Sequence, residues 1–356
     1  MAATIVVGGQ FGSEGKGKVV ALLAARAESP SLVRCGGPNS GHTVTIQGRD
    51  VVLRQIPSCS EPSRATFLLS AGCAIDQDIL LRELDLLGIS REKIIVDPRA
   101  VLVTDQDRED EKRALKDIAS TCSGTGSAMA RRLLRMGKVM LAGDSAALAE
   151  RCRIQTIAPL LHEQLDLGGD VIIEGSQGFS LSLLHGAKYP FVTSRDTTAS
   201  GFASEVGLAP KMIDKVVVVI RTYPIRVGGS SGPFNNEISW EAIRELSGAP
   251  ETTPEFTSVT HKLRRVAQFD LEAVKNACNY NKPTSLAVMG LDRLDYSNYG
   301  VTASEKLSEK ARTLLTQIEM ATAVPIEFAG TGFGTFDVVC NPTICSQLDL
   351  TCQTSN

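Results

Sequence analysis

The 356-residue sequence lacks the spacings that mark zinc-binding and disulfide-rich proteins. Its nine cysteines are an odd number without a C-x-x-C pair, and its four histidines include no H-x-x-x-H pair. We therefore expect free thiols in a reducing compartment and no zinc site. The N-terminus shows no basic segment followed by an apolar one, so nothing indicates secretion and a cytoplasmic location is expected.

Long apolar runs and a strong charge of one sign are also missing. The longest apolar runs, such as Val216–Ile220, have the length of a strand and are too short to cross a bilayer. A net charge of -3 and a pI near 5.9 give no general attraction to polyanions. We expect neither a nucleic acid polymer nor a membrane as partner.

The apolar content of 43% is enough for a full core. Short β-rich runs recur at 3–7, 51–56, 99–104, 138–142, 170–174, 215–221, 284–289 and 324–328. Helical patterns lie between many of them, at 21–26, at 79–84 and, as one amphipathic helix, at 145–166. This alternation predicts a P-loop-like α/β fold, whose central, mostly parallel β-sheet is flanked by helices. No linker divides the chain, so we expect a single domain over residues 1–356 with insertions.

Segments rich in glycine, proline, serine and threonine predict long loops. They lie at 35–43, 120–127, 175–180, 190–201, 227–236, 251–261 and 329–335. Because parallel sheets bind ligands beyond the carboxyl ends of their strands, we expect these loops to converge on that edge as active-site loops.

The stretch G-G-Q-F-G-S-E-G-K-G-K at 8–18 directly follows the first predicted strand. Backbone N–H groups of such a turn bind phosphate, and Lys16 and Lys18 offset its charge. The stretch departs from the P-loop pattern G-x-x-x-x-G-K-[ST], because Gln10 and Gly17 replace the first glycine and the hydroxyl residue. It predicts a phosphate-binding loop of unusual type.

Five ordered segments resemble the adenylosuccinate synthetase family. They are E-G-K-G-K at 14–18, G-G-P-N-S-G-H-T at 36–43, E-G-S-Q-G at 174–178, Y-P-F-V-T-S with T-T-A at 189–199, and R-V-G with G-P-F at 226–234. Members of this family couple a 6-oxopurine nucleotide to aspartate: O6 attacks the γ-phosphate of a triphosphate, and the aspartate amine then displaces the 6-phosphoryl group. The resemblance implies the same chemistry here.

The resemblance also implies three catalytic positions and a triphosphate site. The implied catalytic residues are Ser13, His42 and Gln177. The family has an aspartate base at the position of Ser13, and His42 matches its general acid. The implied triphosphate-binding residues are Gly12, Glu14, Gly15, Lys16, Gly17, Lys18, Gly41, His42, Thr43, Asp292, Gly330 and Gly332. Mg²⁺ is implied as the cofactor, with ligands at Gly15, Gly41 and Ser13. The last of these ligands stays open, because a hydroxyl replaces the family carboxylate.

Two further sites follow from the same resemblance. The implied nucleotide monophosphate site comprises Ser13, Asn39, Thr121, Arg131, Gln177, Thr193 and Val227. Arg131 matches an arginine that reaches the phosphate from a neighbouring subunit, which implies a homodimer, although a solvated helix arginine is the alternative. Aspartate is implied to bind Thr260, Lys262 and Arg264, because guanidinium forks suit a dicarboxylate.

Ser13 is the first departure from the family pattern. A serine hydroxyl is a poor base near neutral pH, but it leaves room for, and can hydrogen-bond to, a 2-amino group such as that of guanine. The G-S-E-G-K-G-K stretch resembles a bacteriophage branch that makes N6-succinyl-2-aminoadenylate from dGMP for diaminopurine DNA, which would place the protein in host cytoplasm. Ser13 through a water, or Glu14, stay open as the group that removes the N1 proton.

Two more departures bear on the substrates. Lys262 replaces a family arginine that reaches toward the ribose hydroxyl, which fits a deoxyribonucleotide, although a simple replacement stays open. Gly290, in M-G-L-D at 289–292, replaces a lysine that packs over the guanine of GTP, while Asp292 remains. We expect dGMP and L-aspartate as substrates, with ATP or dATP ahead of GTP as donor.

Two other functions remain open at this point. One is ordinary adenylosuccinate synthesis from IMP, aspartate and GTP. The other is an inactive purine-nucleotide-binding protein, although His42, Gln177, Lys16 and Arg264 are all retained. The tail beyond Cys340 is expected to be a surface segment.

Overall fold

The computed structural model describes residues 3–135, 139–257 and 261–341. Its strands are β1 Ala3–Gly8, β2 Ser31–Arg34, β3 His42–Ile46, β4 Arg49–Leu53, β5 Thr66–Leu69, β6 Ala74–Ile75, β7 Ile94–Val96, β8 Val101–Leu102, β9 Arg153–Ile154, β10 Val171–Glu174, β11 Ile213–Arg221, β12 Ile225–Arg226, β13 Glu237–Ile238, β14 Arg265–Ala267, β15 Ser285–Met289, β16 Ile326–Gly330 and β17 Val338–Cys340. Its α-helices are α1 Lys16–Arg26, α2 Gln77–Leu87, α3 Asp105–Ala114, α4 Thr125–Leu133, α5 Ala146–Arg151, α6 Ile157–Asp166, α7 Ala199–Val206, α8 Trp240–Ser247, α9 Leu271–Asn281, α10 Leu291–Leu294 and α11 Glu309–Thr322. The predicted site residue Thr260 and the tail from residue 342 lie outside these ranges.

Ten strands form one sheet in the order β17-β16-β15-β11-β1-β10-β2-β5-β7-β9. All neighbouring strands pair in parallel except β16 and β17, which are antiparallel. Helices cover both faces over two large apolar clusters. In β1, Val6 packs into one cluster and Ile5 and Val7 into the other, because successive side chains of a strand point to opposite faces. This confirms the predicted α/β fold with a mostly parallel sheet.

Smaller sheets lie at the carboxyl end of the large one. They are β12-β14-β13, the hairpin β3-β4 and the pair β6-β8. The loops after β1, β2, β10, β11 and β15 converge at that edge, as the composition of the loop segments predicts. Within the described ranges, no helix has the length and apolar character needed to span a bilayer. The cysteines of those ranges are free thiols.

The predicted helix 145–166 is wrong as one element. The structure forms α5, then β9, then α6. β9 adds to the sheet edge by pairing with β7, and α6 starts anew with Pro159 in its first turn, where proline is tolerated. Pairing at the sheet edge therefore outweighs the helical periodicity of this segment.

Other strand predictions also needed correction. Of the predicted strand 138–142, the described part has a single bridge between Leu141 and Val101, and Ala142–Asp144 form a 3₁₀ turn. The run 51–56 overlaps β4 only at 51–53, and the run 99–104 contains only the two-residue strand β8. The strands β2, β5 and β7 are not predicted from the sequence, because two or three apolar residues in a row carry too little periodicity to identify a strand.

Candidate active site

Two cavities lie at the carboxyl edge of the sheet. The first, which we call the charged cavity, has a volume of about 280 Å³ and is lined by Gly12–Lys18, Gly41–Thr43, Thr45, Asp50, Arg221, Glu255, Phe256, Arg264, Met289, Gly290, Asp292, Arg293, Gly332, Phe333 and Thr335. The second, the neutral cavity, has about 180 Å³ and is lined mainly by hydroxyl, amide and apolar groups. A connecting space of about 60 Å³ lies against both, bordered by Ser13, Asn39, Gly41, Gln177, Lys262 and Arg264 among others.

The glycine-rich loop forms one wall of the charged cavity. Gly12 and Gly15 have φ of 99° and 101°, a left-handed conformation that favours glycine. The Glu14 carboxylate turns back into the loop, where Oε1 accepts hydrogen bonds from the N–H of Gln10 (3.0 Å) and of Gly12 (2.7 Å). Its Oε2 lies 2.9 Å from Lys16 Nζ. The loop thus holds its own shape, and the Glu14 carboxylate is engaged within it.

Both predicted lysines line the charged cavity, and both have protein partners. Lys16 Nζ donates to the Gly12 carbonyl at 3.1 Å. Lys18 Nζ donates to the carbonyls of Gly332 (3.0 Å) and Asp337 (2.7 Å), which ties α1 to the loop after β16. Burial lowers the pKa of Lys18 to about 8, against the attraction of nearby carboxylates.

His42 lies in a buried polar cluster at the start of β3. Its Nδ1 is 2.6 Å from Glu174 Oε1, and Arg34 Nη1 lies 3.0 Å from Glu174 Oε2. Arg34 Nη1 also approaches His42 Nδ1 to 2.6 Å, which we read as two donors crowding one carboxylate, because a guanidinium only donates. The Nδ1–H then points at Glu174, and Nε2 faces Ser40 Oγ at 3.1 Å.

The charges of this cluster act on one another. Burial, and then the Arg34 guanidinium, lower the pKa of His42 to about 4, although Glu174 acts in the opposite direction. Burial disfavours the Glu174 carboxylate, yet His42, Arg34 and hydrogen bonds from Ser58 hold its pKa well below the usual range. His42 is therefore a neutral, fixed imidazole beside an ionised carboxylate. Sequence reasoning does not predict this pairing, because Glu174 lies 132 residues from His42 along the chain.

Ser13 lies between two arginines at the border of the charged cavity and the connecting space. Arg264 Nη1 donates to Ser13 Oγ, and Arg221 Nη1 donates to the Ser13 carbonyl at 3.1 Å. Arg221 is also paired with Glu255, whose Oε1 lies 2.5 Å from Nη2. Arg264 had been predicted as a site residue. Arg221 and Glu255 had not, although a buried arginine that ends the apolar strand β11 is a recognisable signal.

The neutral cavity brings together most residues of the predicted monophosphate site: Asn39, Thr121, Gln177, Thr193 and Val227. Its charged lining residues are Glu111 and Arg226, and both hydrogen-bond to the backbone. Glu111 accepts from the N–H of Gly124 and Gly126, and Arg226 donates to the carbonyls of Phe191 (2.9 Å) and Pro233 (3.1 Å). Burial lowers the pKa of Arg226 to about 10.

Two predicted residues do not lie at these cavities within one chain. Arg131, on α4, forms a two-point ion pair with Asp107, with Nε–Oδ1 2.6 Å and Nη2–Oδ2 2.7 Å. Gly330 is the last residue of β16 and does not belong to the cavity lining, whereas Gly332 does. Lys262 borders the connecting space, as predicted, and Thr260 lies outside the described residues.

The three predicted Mg²⁺ ligands differ in how well they fit a metal. Mg²⁺ prefers oxygen ligands and is usually held by one or two protein groups together with phosphates of the substrate. The Gly41 carbonyl at the cavity wall fits that use. The Gly15 carbonyl already accepts the Val19 N–H at 3.3 Å within α1. The Ser13 hydroxyl faces the Arg264 guanidinium, whose positive charge opposes a cation there.

Comparison with known proteins places the chain among named relatives. The family model described as adenylosuccinate synthetase matches residues 5–151 and 143–299. The chain is 41% identical over 340 residues to the adenylosuccinate synthetase of Methanocaldococcus jannaschii, covering 93% of this chain and 94% of that protein. It is 38% identical over 338 residues to that of Thermococcus onnurineus, covering 93% and 96%.

Two solved structures share the fold. The fully ligated adenylosuccinate synthetase of Plasmodium falciparum superimposes with a TM-score of 0.84 at 20% identity, covering 96% of this chain and 100% of that one. The succinoaminodeoxyadenylate synthetase of cyanophage S-2L, bound to dGMP and to dATP as energy donor, gives 0.79 at 27% identity and covers 99% of each chain.

Proposed function

This chain belongs to the adenylosuccinate synthetase family of C–N bond-forming ligases, and on that basis we propose that it condenses dGMP with L-aspartate to give N6-succinyl-2-amino-2′-deoxyadenylate. ATP or dATP would supply the phosphoryl group. The cyanophage structure, which holds dGMP and dATP, supports this choice of substrates.

The uncharged hydroxyl of Ser13 at the connecting space carries the proposal. A hydroxyl oxygen has two lone pairs, and Arg264 uses one of them. The second is free to accept from the 2-amino group of guanine, a group that hypoxanthine lacks. A carboxylate at this position would be bulkier and would form an ion pair with Arg264.

The reaction follows from how the two cavities adjoin. The purine nucleotide would lie in the neutral cavity against Asn39, Thr121 and Gln177, with O6 at the connecting space. The triphosphate would lie in the charged cavity against the glycine-rich loop. O6 attacks the γ-phosphate and the nucleoside diphosphate leaves. The amine of aspartate then attacks C6, and phosphate leaves with its bonding electrons.

The residues around the connecting space have distinct parts in these steps. Glu174 orients His42 through Nδ1, and Nε2 would stabilise charge on O6 only when it also carries a proton, as in the imidazolium. Arg264 and Lys262 would orient the carboxylates of aspartate. The carboxylate of Glu14 is engaged within the loop, which argues against Glu14 as the group that removes the N1 proton. Mg²⁺, when bound, would offset the triphosphate charge, and the Gly41 carbonyl is the protein group that would hold it.

The homodimer is part of the proposal. Arg131 would turn from Asp107 to the dGMP phosphate of a second copy. Its helix α4 ends at Leu133, which is 81% exposed, and Leu134 beside it is 63% exposed. Two neighbouring leucines left in solvent support a surface that another subunit covers.

Ordinary adenylosuccinate synthesis from IMP and GTP is the second candidate. The two relatives described above, which are 41% and 38% identical over nearly the whole chain, are named adenylosuccinate synthetases, and this favours the second candidate. The two reactions differ at the purine 2-position, which the Ser13 hydroxyl would contact.

One assay separates these candidates. The protein is mixed with Mg²⁺, aspartate, ATP or GTP, and either dGMP or IMP, and the succinylated purine and nucleoside diphosphate are quantified by chromatography. Product with dGMP supports the proposal, and product with IMP alone supports the second candidate. Binding of either nucleotide without turnover would identify an inactive purine-nucleotide-binding protein.

Changing Ser13 tests the observation itself. Ser13→Asp should lower kcat/KM for dGMP by about tenfold or more, because it removes both the space and the acceptor for the 2-amino group. Ser13→Ala keeps the space and loses one hydrogen bond, so a smaller loss of about two- to tenfold is expected. Undiminished dGMP turnover by Ser13→Asp would contradict the role given to this hydroxyl.

A further inference from the structure

A third cavity, of about 270 Å³, lies beside the glycine-rich loop and outside the active-site cavities described above. Gln10 and Phe11 of the loop form part of its wall, and the first turns of α9 contribute Glu272, Ala273 and Asn276. Phe11 is its only lining residue that also lines the neutral cavity or the connecting space, and the charged cavity shares none. The third cavity therefore needs an explanation apart from the proposed reaction.

Aromatic rings form much of the inner wall of the third cavity. Phe179 is 2% exposed, and Phe11 and Phe234 are partly buried. The ring centroids of Phe11 and Phe234 are 5.1 Å apart and the rings are inclined by 73°, an edge-to-face contact that fixes both. Aromatic rings that are held in place around a cavity of this size suit a planar, largely apolar ligand.

Three carboxamides line the outer part of the third cavity. They belong to Asn235, Gln268 and Asn276, which are exposed. None of the three side chains forms a hydrogen bond with another of the described residues. A carboxamide offers two donors and an acceptor, which match the edge of a nucleobase where a ring nitrogen lies beside an amino group.

The charged residues of the third cavity do not favour an anion. Lys188 is the one lysine or arginine among its described lining residues, which also include Asp270 and Glu272. Glu272 Oε1 lies 2.8 Å from Lys275 Nζ, so Lys188 and Asp270 remain as charges of opposite sign. A phosphate group would gain no net attraction here, in contrast to the charged cavity with its two lysines and three arginines.

We propose that the third cavity binds an uncharged purine base or nucleoside, and that Phe11 couples this binding to the purine monophosphate site. The base stacks on the aromatic wall, and the carboxamides bind its polar edge. Phe11 also lines the neutral cavity and the connecting space, and its ring centroid lies 4.8 Å from the Arg226 guanidinium. A ligand that contacts Phe11 therefore acts on a group that the two sites share. The coupling rests on the proposed position of the monophosphate, whereas the binding does not.

Equilibrium dialysis of the whole protein with radiolabelled adenine tests the binding. Mg²⁺, the β,γ-imido analogue of ATP and either dGMP or IMP are added at saturation to block the charged and neutral cavities. About one adenine per chain should still bind. Ala273→Phe places a ring in the cavity and should raise the Kd of adenine about tenfold or more. Gln268→Ala combined with Asn276→Ala should also raise it about tenfold, because two hydrogen bonds are lost.

The chain offers a closely matched control for the cavity-filling variant. Ala242 is the third residue of α8 and donates its N–H to Ser239, as Ala273 is the third residue of α9 and donates to Asp270. Both alanines are partly buried, but Ala242 lines none of the cavities described above. Ala242→Phe should leave the Kd of adenine within about twofold of that of the unchanged protein. Thermal melting identifies the folded variants.

Steady-state kinetics tests the coupling through Phe11. Saturating adenine should change the KM for the purine monophosphate about fivefold or more in the unchanged protein, and it should have no effect in folded Ala273→Phe. Whichever of dGMP and IMP is converted serves as the substrate. A KM that adenine leaves unchanged, or a change that persists in Ala273→Phe, would overturn the coupling.

The binding site is contradicted by different results. An unchanged protein that binds no adenine once the other cavities are blocked would overturn it, as would folded Ala273→Phe with an unchanged Kd. AMP that binds under these conditions as tightly as adenine would overturn the preference for an uncharged ligand. Failure to convert dGMP would contradict the proposed function alone, because the dialysis requires no turnover.

Discussion

The charged and the neutral cavity adjoin the same connecting space but are built from different chemistry. The charged cavity contains Glu14, Lys16, Lys18, Asp50, Arg221, Glu255, Arg264, Asp292 and Arg293. The neutral cavity has two charged residues, and both hydrogen-bond to the backbone. The first cavity suits a polyphosphate, whose charge acts over several ångströms, and the second recognises a ligand through short hydrogen bonds and shape.

This difference in charge between the two cavities bears on how much the Ser13 hydroxyl can contribute to recognition of the purine. In a site that is dense in charge, gaining or losing a single neutral hydrogen bond changes little. In the neutral cavity and the connecting space, hydrogen bonds from Asn39, Thr121 and Gln177 would provide most of the discrimination between purines. The proposed contact of Ser13 at their border would therefore affect which purine binds. A variant in the charged cavity should therefore leave the KM of the purine monophosphate unchanged, and a variant in the neutral cavity should leave the KM of the triphosphate donor unchanged.

The largest effect on activity is expected from a variant of His42, because this residue would act on the reaction itself and not on the binding of one ligand. His42→Asn should lower kcat by about 10²–10⁴-fold with both KM values little changed, because His42 would act on the transition state of the phosphoryl transfer. Steady-state kinetics with each substrate varied in turn measures this. His162→Asn, on α6 and outside the lining of both cavities, is the matched control. A change confined to the donor KM would mean that His42 serves donor binding and not the phosphoryl transfer.

A variant of Arg131 tests whether the neutral cavity needs a cation from a second chain. Arg131→Met should raise the KM for dGMP about 10- to 100-fold, the effect of losing hydrogen bonds to a charged group, with the donor KM unchanged. Mixing inactive His42→Asn with Arg131→Met should then restore activity, to about a quarter of that of the unchanged protein, because hybrid dimers contain one intact site. No recovery after subunit exchange would mean that Arg131 acts within its own chain or only on Asp107.

The smallest effect belongs to the charged cavity and depends on pH. The pKa of Lys18 is lowered to about 8, so its charge is lost as the pH rises through that value and triphosphate binding weakens. The donor KM should rise by up to about tenfold between pH 7 and pH 9, while the dGMP KM stays flat. Lys18→Arg keeps its charge and should remove the rise. A rise that persists in Lys18→Arg would assign it to another group.

The free energy of unfolding should also depend on the titration of Lys18. The lowered pKa of Lys18 means that the unfolded chain binds more protons than the folded one between pH 8 and 10.5. The free energy of unfolding contributed by this lysine therefore rises with pH over that window. It stays at its least favourable value below pH 8. Denaturant unfolding of the unchanged protein and of Lys18→Arg measures the difference.

The parts of the site that are formed by one short segment could be predicted from the sequence. The loop 8–18 was identified because glycines and lysines follow an apolar run, and the start of α1 follows from it. The acceptor residues Asn39, Gln177 and Thr193 were placed together through the family resemblance, and the structure does bring them to one cavity.

Pairs formed across long stretches of chain could not be predicted. Glu174 pairs with His42 across 132 residues of sequence, and Arg221 pairs with Glu255 across 34. These contacts depend on the order of the strands in the sheet, which the hydrophobic periodicity of the sequence does not encode. Phe333 and Arg293 likewise come together from the segments after β16 and β15, which pair side by side. The split of 145–166 has the same cause, since β9 is a strand only because β7 offers an edge.

The Glu14 carboxylate holds the glycine-rich loop from within, and this separates the shape of the loop from its neighbour at position 13. Because the turn is fixed by hydrogen bonds to Gln10 and Gly12 and by the pair with Lys16, a substitution at Ser13 need not be accompanied by changes elsewhere in the backbone. One residue can then be exchanged in a single evolutionary step while the scaffold persists. If Ser13 contacts the purine as proposed, the purine preference could change by substitution here while the phosphate-binding loop keeps its conformation.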